Sequence, residues 1–428
     1  MGVTAIVGGN WGDEGKGKMT DLLAKEADFV VRFQGGNNAG HTIINPFGKF
    51  QLHLLPSGVF YKNCINVLGT GVALNIEAFL NEYNELQDRG VPKPKVIISD
   101  RIQLVLPHHI LLDKYEEEKL GKDKFGSTES GIAPFYADKY SKIGIQVSDI
   151  FDKRALLKKI EINIKKKNII LEYYYNKPLL KAEEICDYLY EQGKKIEPFI
   201  ANTSKVLNSA LENNKSILME AQLGALKDPD HGIYPFTTSS STLSGFASVG
   251  AGIPASKIEK VVTVVKAYSS CVGAGAFVSE IFDSEADKLR ELGGDCGEYG
   301  AKTGRARRVG WFDVVATKYG CNIQGTNEVA LTLLDVLGYL EEIPVCVSYK
   351  IDDKIINDFP RTDILNRSKP VLKYLKGWKS DISGIREYDD LPIEAKDYIS
   401  FIEKQIGYPI KYISVGPNRN DIIYREVK

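Results

Sequence analysis

Short apolar runs recur along the chain and alternate with stretches of helical period. Thr4-Ala5-Ile6-Val7, Asp28-Phe29-Val30-Val31-Arg32-Phe33, Ile65-Asn66-Val67-Leu68, Lys95-Val96-Ile97-Ile98, Ser216-Ile217-Leu218-Met219 and Val261-Val262-Thr263-Val264-Val265 read as strands. Val329 to Leu334, Val345 to Tyr349 and Tyr412 to Val415 continue the series. Most are apolar throughout, as strands covered on both faces of a parallel sheet must be. Helical patterns such as Ile76 to Asp88 lie between many of them. This alternation predicts an α/β fold, a large and mostly parallel central sheet flanked by helices. From 151 to 212 the pattern changes. That lysine-rich stretch, with Lys165-Lys166-Lys167 and Tyr173 to Tyr175, predicts a helical insertion over the sheet. No repeat or low-complexity linker marks a boundary, so residues 1–428 are expected to form one domain.

Composition narrows the function classes. Lys plus Arg number 55 and Asp plus Glu 56, and this balance gives no electrostatic case for nucleic acid or an anionic membrane. The lysine run then reads as a solvated face. Six cysteines (Cys64, Cys186, Cys271, Cys296, Cys321, Cys346) lie scattered without a C-x-x-C pair, the usage of reduced thiols. There is no bilayer-length apolar run and no basic leader before the first strand. The expectation is a cytoplasmic enzyme.

Candidate chemistry sits where two strands run into glycine-rich turns. Behind Val7 comes Gly8-Gly9-Asn10-Trp11-Gly12-Asp13-Glu14-Gly15-Lys16-Gly17-Lys18. Gly12 to Lys18 matches seven positions of the phosphate loop G-x-x-x-x-G-K-[ST], but Met19 replaces the metal-binding hydroxyl. Thr20 is one residue late, which leaves Asp13 as the nearest hard oxygen ligand for Mg²⁺. Thr20 to Leu23 reads as helix, so its N-terminus would face an anion. Behind Phe33 comes Gln34-Gly35-Gly36-Asn37-Asn38-Ala39-Gly40-His41-Thr42. Ligands of parallel sheets sit at strand carboxyl ends, so both turns are expected to face one crevice, with His41 in a polar loop. A glycine-rich surface turn and a surface histidine are the bland alternatives.

The runs GNWGDEGKGK and VVRFQGGNNAGHT resemble the adenylosuccinate synthetase family. The resemblance continues in order through LHLLPSGVF, DPDHGIYPFTTSSST, KTGRARRVGWFD and ISVGPNR, nearly the whole chain. It implies a homodimeric, Mg²⁺-dependent ligase of purine biosynthesis, related to P-loop GTP-binding folds. It implies joining of L-aspartate to inosine monophosphate (IMP) with GTP, through a 6-phosphoryl intermediate. Asp13, Lys16, Gln34 and His41 are then catalytic, Asp13 as base on N1 and His41 on the phosphoryl oxygens. Asp13 and the Gly40 carbonyl hold the metal. GTP is held by Gly12, Asp13, Glu14, Gly15, Lys16, Gly17 and Lys18, by Gly40, His41 and Thr42, and by Arg307, Leu333, Asp335, Ser414, Gly416 and Pro417. Asp335 reads the guanine hydrogens. IMP is held by Asp13, Lys16, Asn38, Ala39, Gly40 and His41, by Thr128, Gln222, Leu223, Thr238, Val272 and Arg305, and by Lys142 from across a dimer. Ala301, Lys302, Thr303, Gly304, Arg305, Ala306 and Arg307 form the aspartate loop, in which guanidinium forks suit a dicarboxylate.

Several positions depart from the family pattern. Ser127-Thr128-Glu129-Ser130-Gly131 replaces T-T-G-[RK]-G, and Glu220-Ala221-Gln222-Leu223-Gly224 replaces E-G-A-Q-G. Lys142 stands for an arginine, Cys271 for the arginine of S-T-R-V-G, and Leu333 for a lysine. These changes leave open a paralogous aspartate ligase acting on GMP or dGMP, or using ATP. A GTP-binding regulator without ligase activity would leave His41 and the arginine loop without a reason.

Overall fold

A computed structural model describes residues 2–123, 125–293, 297–300, 304 and 306–426. Ten strands form the central sheet, in the order Ile422–Tyr424, Ile410–Ser414, Glu328–Thr332, Ile258–Lys266, Val3–Gly8, Ile217–Glu220, Phe29–Arg32, Ile65–Leu68, Lys95–Ser99 and Ile200–Ala201. Every neighbouring pair is parallel except the first two strands of that order. Val3–Gly8 lies in the middle. Helices cover both of its faces, which is why Val3, Ala5, Ile6 and Val7 are all fully buried. The edges are a two-residue strand and a three-residue strand, too short to invite further pairing.

All the expected strands form, and all but one join this sheet. Val345 to Tyr349 lies within Glu342–Ile351, which pairs with Phe312–Asp313, Lys354–Ile356 and Lys369–Lys376 in a separate small sheet. The expected strand to Leu334 stops at Thr332, because Leu333 turns the chain at φ 58. The helix Ile76–Asp88 has the expected bounds, and its Asn75 cap accepts from the Ala78 amide, a bond that contributes about 1 kcal/mol.

The insertion is helical as expected, with helices Lys153–Ile170, Ala182–Ile196 and Thr203–Glu212. Ile185, Leu189 and Ile196 recur on one face and pack with Leu156, Ile160, Phe79 and Ile98 in one cluster. Lys165 and Lys166 are exposed, as a solvated face requires. Lys167 instead turns inward to pair with the buried Asp138. No helix among the described residues is long and apolar enough to cross a membrane.

Candidate active site

The first glycine-rich turn passes from Val3–Gly8 into the helix Lys16–Leu23. Gly15 caps that helix at φ 94, a conformation that costs glycine little. Met19 is fully buried against Ile6, Val262, Val264 and Ala330, so its position on the helix faces the core rather than a ligand. This accounts for a methionine where a phosphate loop carries a hydroxyl. The Glu14 carboxylate turns inward. It accepts from the amides of Asn10 (3.0 Å) and Gly12 (2.9 Å) and pairs with the Lys16 ammonium (2.6 Å). The chain's own acid thus occupies loop donors that would otherwise meet a phosphate. The open anion site lies at the helix N-terminus, where Gly15, Lys16, Gly17 and Lys18 line the cleft. Lys18 donates to Ser414 Oγ (2.8 Å) and the Gly416 carbonyl (2.6 Å), and Arg419 grips Asp21 with two bonds (2.6 and 2.7 Å). The helix and the C-terminal loop are therefore stitched together.

Six adjacent strands deliver the cleft from their carboxyl ends. Asp13 follows Val3–Gly8, and Ala39, Gly40 and His41 follow Phe29–Arg32. Ala221, Gln222 and Leu223 follow Ile217–Glu220, and Lys266 ends Ile258–Lys266. Thr332 and Leu333 come from the end of Glu328–Thr332, and Ser414, Gly416 and Pro417 from that of Ile410–Ser414. Thr42, Lys49, Gln51, Tyr299 and Arg307 complete the wall. Asp13, Leu223 and Leu333 all hold positive φ, near 60°, which is uncommon without glycine and gathers at functional sites.

Asp13 is the one carboxylate among the described lining residues. It faces Arg307, whose Nε lies 3.0 Å from Asp13 Oδ2. Arg307 is anchored from behind, donating from Nη1 to Glu298 Oε2 (2.7 Å). Glu298 also receives Lys266 Nζ (2.6 Å) and the Tyr268 hydroxyl. Burial alone would raise the Glu298 carboxyl, but the charges of Lys266 and Arg307 and the hydrogen bonds overcome it and hold it down at about 2. Sequence reasoning missed Lys266, Glu298, Lys49 and Gln51. Lys266 was legible as a lone lysine ending an apolar strand, where the ligand edge of a parallel sheet falls.

His41 is the first residue of a strand rather than part of a loop. His41–Asn45 pairs antiparallel with Gly48–Leu52, a hairpin that also presents Lys49 and Gln51 to the cleft. The ring packs directly on Gly17, where a Cβ would stand 2.6 Å from His41 Cδ2. Behind it sits a buried cluster: Arg32 Nη1 is 3.4 Å from His41 Nδ1, and Ser57 Oγ is 3.1 Å from Nε2. Burial, then the charges of Arg32, His53 and Lys16, push the imidazole well below its usual range.

Other expected residues have different surroundings. Gln34 is fully buried, donates to the Gln222 carbonyl (2.7 Å) and accepts from Ser240 (3.2 Å). The Gln222 amide clasps the second turn through Gly36 N, Gly36 O and Ala39 O, so the residue next to it, Leu223, presents the side chain to the cleft. Gly12, Glu14, Asn38, Thr128, Lys142, Thr238, Val272, Asp335, Gly304 and Ala306 do not line this cleft. Thr128 bonds Ser130 (3.0 Å), the Thr238 amide bonds Lys227 O (2.9 Å), and Lys142 is exposed at φ 62. Asp335 lies beyond Leu333, with a buried Oδ1 that meets no hydrogen-bond donor among the described residues. Burial raises its carboxyl to about 6 against the pull of Lys18. Ala301, Lys302, Thr303 and Arg305 lie outside the described residues.

A parallel sheet whose carboxyl edge joins a helix N-terminus, several cations and a single carboxylate defines a nucleotide-using α/β enzyme. The family model described as adenylosuccinate synthetase matches residues 5–423. The chain is 45% identical to the adenylosuccinate synthetase of Dehalococcoides mccartyi over 426 residues, 99% of this chain and 100% of the relative. It is also 45% identical to that of Mycobacterium tuberculosis over 427 residues, 99% and 98% of the two chains. Among solved structures it superposes on fully ligated adenylosuccinate synthetase from Plasmodium falciparum with TM-score 0.92 and 37% identity, covering 100% of both chains. Cyanophage S-2L succinoaminodeoxyadenylate synthetase, bound to dGMP and dATP, shares the fold alone, with TM-score 0.61 and 18% identity over 100% of this chain and 96% of that one. The chain belongs to the adenylosuccinate synthetase family, ligases that form a C–N bond.

Proposed function

We propose that the chain condenses IMP with L-aspartate at the expense of GTP, releasing adenylosuccinate, GDP and phosphate. The observation that carries this reading is the meeting of Asp13, His41 and Arg307 in a cleft that Lys16, Lys18, Lys49 and Lys266 also line. The 6-oxygen of a purine cannot leave as it stands. Asp13 takes the N1 proton, which makes O6 a nucleophile towards the γ-phosphate. Lys16, the helix N-terminus and His41 balance charge on the transferring phosphoryl oxygens, and such transfer is mostly positioning and neutralisation. The amine of aspartate then attacks C6, the C6–O6 bond breaks, and O6 leaves within phosphate.

In the ligand-free cleft Arg307 Nε faces one Asp13 oxygen, Oδ2, at 3.0 Å. An arriving polyphosphate or dicarboxylate offers Arg307 a second anion and frees the base. Mg²⁺ would be held by Asp13 and the Gly40 carbonyl, both hard oxygens facing the cleft. Oxygens of the triphosphate and of water would complete its coordination. Bound there, the metal would neutralise phosphate charge. Asp335 is suited to guanine, since its unmatched buried oxygen can accept the base's N–H groups. Arg305, with Arg307, receives the aspartate carboxylates. We read the enzyme as one domain, cytoplasmic and homodimeric, with Lys142 reaching the IMP phosphate of the partner copy.

Leu223 and Leu333 present apolar side chains to the cleft, which keeps a different purine nucleotide or triphosphate as an outcome to test. Purified protein with Mg²⁺ and aspartate is given GTP or ATP and each of IMP, GMP and dGMP, while absorbance and phosphate are followed. Product from IMP with GTP supports the proposal. Product from GMP but not IMP refutes it, and no aspartate-dependent product at all refutes any ligase reading.

A further inference from the structure

Beneath His41 lies a buried chain of polar side chains that no step above uses. Arg32 and Glu220 end adjacent strands and are register partners across them. Both are at most 1% exposed. Arg32 Nη1 lies 3.8 Å from Glu220 Oε1, and Arg32 Nη2 donates to the His53 carbonyl (3.2 Å). A buried pair of this kind adds little to stability that an apolar pair would not. Its placement under a reacting residue points to a different use.

The hydrogens that link Arg32, His41, Ser57 and Glu220 can be assigned. A guanidinium has no acceptor, so the bond from Arg32 leaves His41 Nδ1 without a proton. The ring hydrogen of His41 is therefore on Nε2. That atom faces Ser57 Oγ at 3.1 Å, with Glu220 Oε1 at 3.4 Å. Ser57 commits its own hydrogen to Glu220 Oε1 (2.5 Å), which leaves its oxygen free to accept from His41. Glu220 Oε2 is fixed by the Ser57 amide (2.8 Å). From Arg32 through His41 and Ser57 to Glu220 the donors all point one way.

We propose that Glu220, acting through the Ser57 hydroxyl, is a positioning residue that holds His41 in the Nε2–H tautomer and in one ring orientation at the phosphate cleft. Without the carboxylate the Ser57 hydroxyl is free to turn and donate to Nε2. Both ring nitrogens could then be met by donors, and the ring can flip or change tautomer. This inference rests on His41 serving in phosphoryl transfer, but its first test does not depend on activity.

The chain has five histidines, so ¹⁵N-histidine labelling gives a small spectrum, in which the His41 signals are those lost in His41→Asn. Ligand-free protein should show His41 with an unprotonated Nδ1 and a protonated Nε2. Glu220→Gln should mix the tautomers, because the freed Ser57 hydroxyl can donate to Nε2. Ser57→Ala has no hydroxyl to turn and leaves Arg32 facing Nδ1, so it should keep the tautomer but lose the bond that fixes the ring. Both should lower kcat about tenfold or more, with the KM for IMP and GTP changed less than about threefold, as lost orientation predicts. Ser57→Thr, which keeps a hydroxyl, should restore the rate. If Glu220→Gln does not fold, the kcat of Ser57→Ala against that of Ser57→Thr decides alone, since both keep the carboxylate. A protonated Nδ1 in the unaltered protein would overturn the assignment, as would an unchanged tautomer in Glu220→Gln. An unchanged kcat in Ser57→Ala would overturn the positioning role. Should the protein show no ligase activity, the proposed function fails while the spectrum still decides the tautomer.

Discussion

Replacing Gly17 with alanine separates the demands of the fold from those of the site. Gly17 is the second residue of its helix and has no left-handed requirement. A Cβ there would lie 2.6 Å from His41 Cδ2, 2.9 Å from Cγ and 3.0 Å from the His41 Cβ. Ordinary contact begins at 3.4 Å, so the ring must retreat by 3.4 − 2.6 = 0.8 Å. Its bonds to Arg32 and Ser57 are already 3.4 and 3.1 Å long, and a shift of that size takes at least one of them out of range. A misplacement of about 1 Å at a reacting group costs on the order of 10²-fold in rate. Stability moves the other way or hardly at all. Alanine is favoured over glycine in a helix by up to about 1 kcal/mol, which offsets the cost of moving one ring. The expected outcome of Gly17→Ala is kcat down about 10²-fold, with a thermal midpoint unchanged or slightly higher. Steady-state rates at saturating IMP, GTP and aspartate, together with a calorimetric melt, check it. A kcat within about threefold of the parent would refute the placement of His41 against this helix.

Asp13→Ala should lower turnover by about 10²–10⁴-fold, the contribution of a general base, while circular dichroism and the melt stay close to the parent because Glu298 still anchors Arg307. Arg305→Leu should raise the KM for aspartate far more than that for GTP, and equal effects would argue against a role in holding the dicarboxylate. Asp335 must be ionised to accept the guanine hydrogens, and burial sets its carboxyl at about 6. The KM for GTP should therefore rise as pH falls through 6, and Asp335→Asn should remove that dependence and narrow the preference for GTP over ATP. Glu298 and Asp138 are both held down at about 2 in the fold against burial, Glu298 chiefly by the charges of Lys266 and Arg307 and Asp138 by hydrogen bonds from His109 and Lys167. Depressed carboxyls stabilise fully above their unfolded values and lose that contribution as pH falls towards the folded ones. Chemical denaturation at stepped pH should thus show stability falling from about pH 4.5 to 2, and less steeply in Glu298→Gln.

The sheet was legible because its strands are covered on both faces. Runs such as Val261 to Val265 lack the polar alternation of a strand with one wet face, and the observed bounds of Ile65–Leu68 match the expected ones. Val345 to Tyr349 shows the limit. An apolar run reports burial, and the cover over a small separate sheet buries it equally well. In the site, the helix N-terminus, Lys16 and the two turns followed from glycine spacing, and residue-by-residue roles came from family resemblance. The Glu14 plug over the loop amides was not legible, since a carboxylate in a phosphate loop gives no sign of which way it faces. The Arg32–Glu220 pair was hidden for a related reason. Each ends its own strand, and only strand order makes them neighbours across 188 residues of sequence, the separation of Arg32 from Glu220. The Met19 substitution changed meaning once its side chain was seen in the core.

The central claim is that O6 of the purine is made into a leaving group by phosphorylation, with Asp13 as the base. IMP labelled with ¹⁸O at the 6-position tests it most directly, in a reaction with unlabelled GTP, aspartate and Mg²⁺ followed by mass spectrometry of the released phosphate. The account predicts one ¹⁸O atom in each phosphate released, formed only when aspartate is present and lost in Asp13→Ala. Product formed with unlabelled phosphate would contradict it.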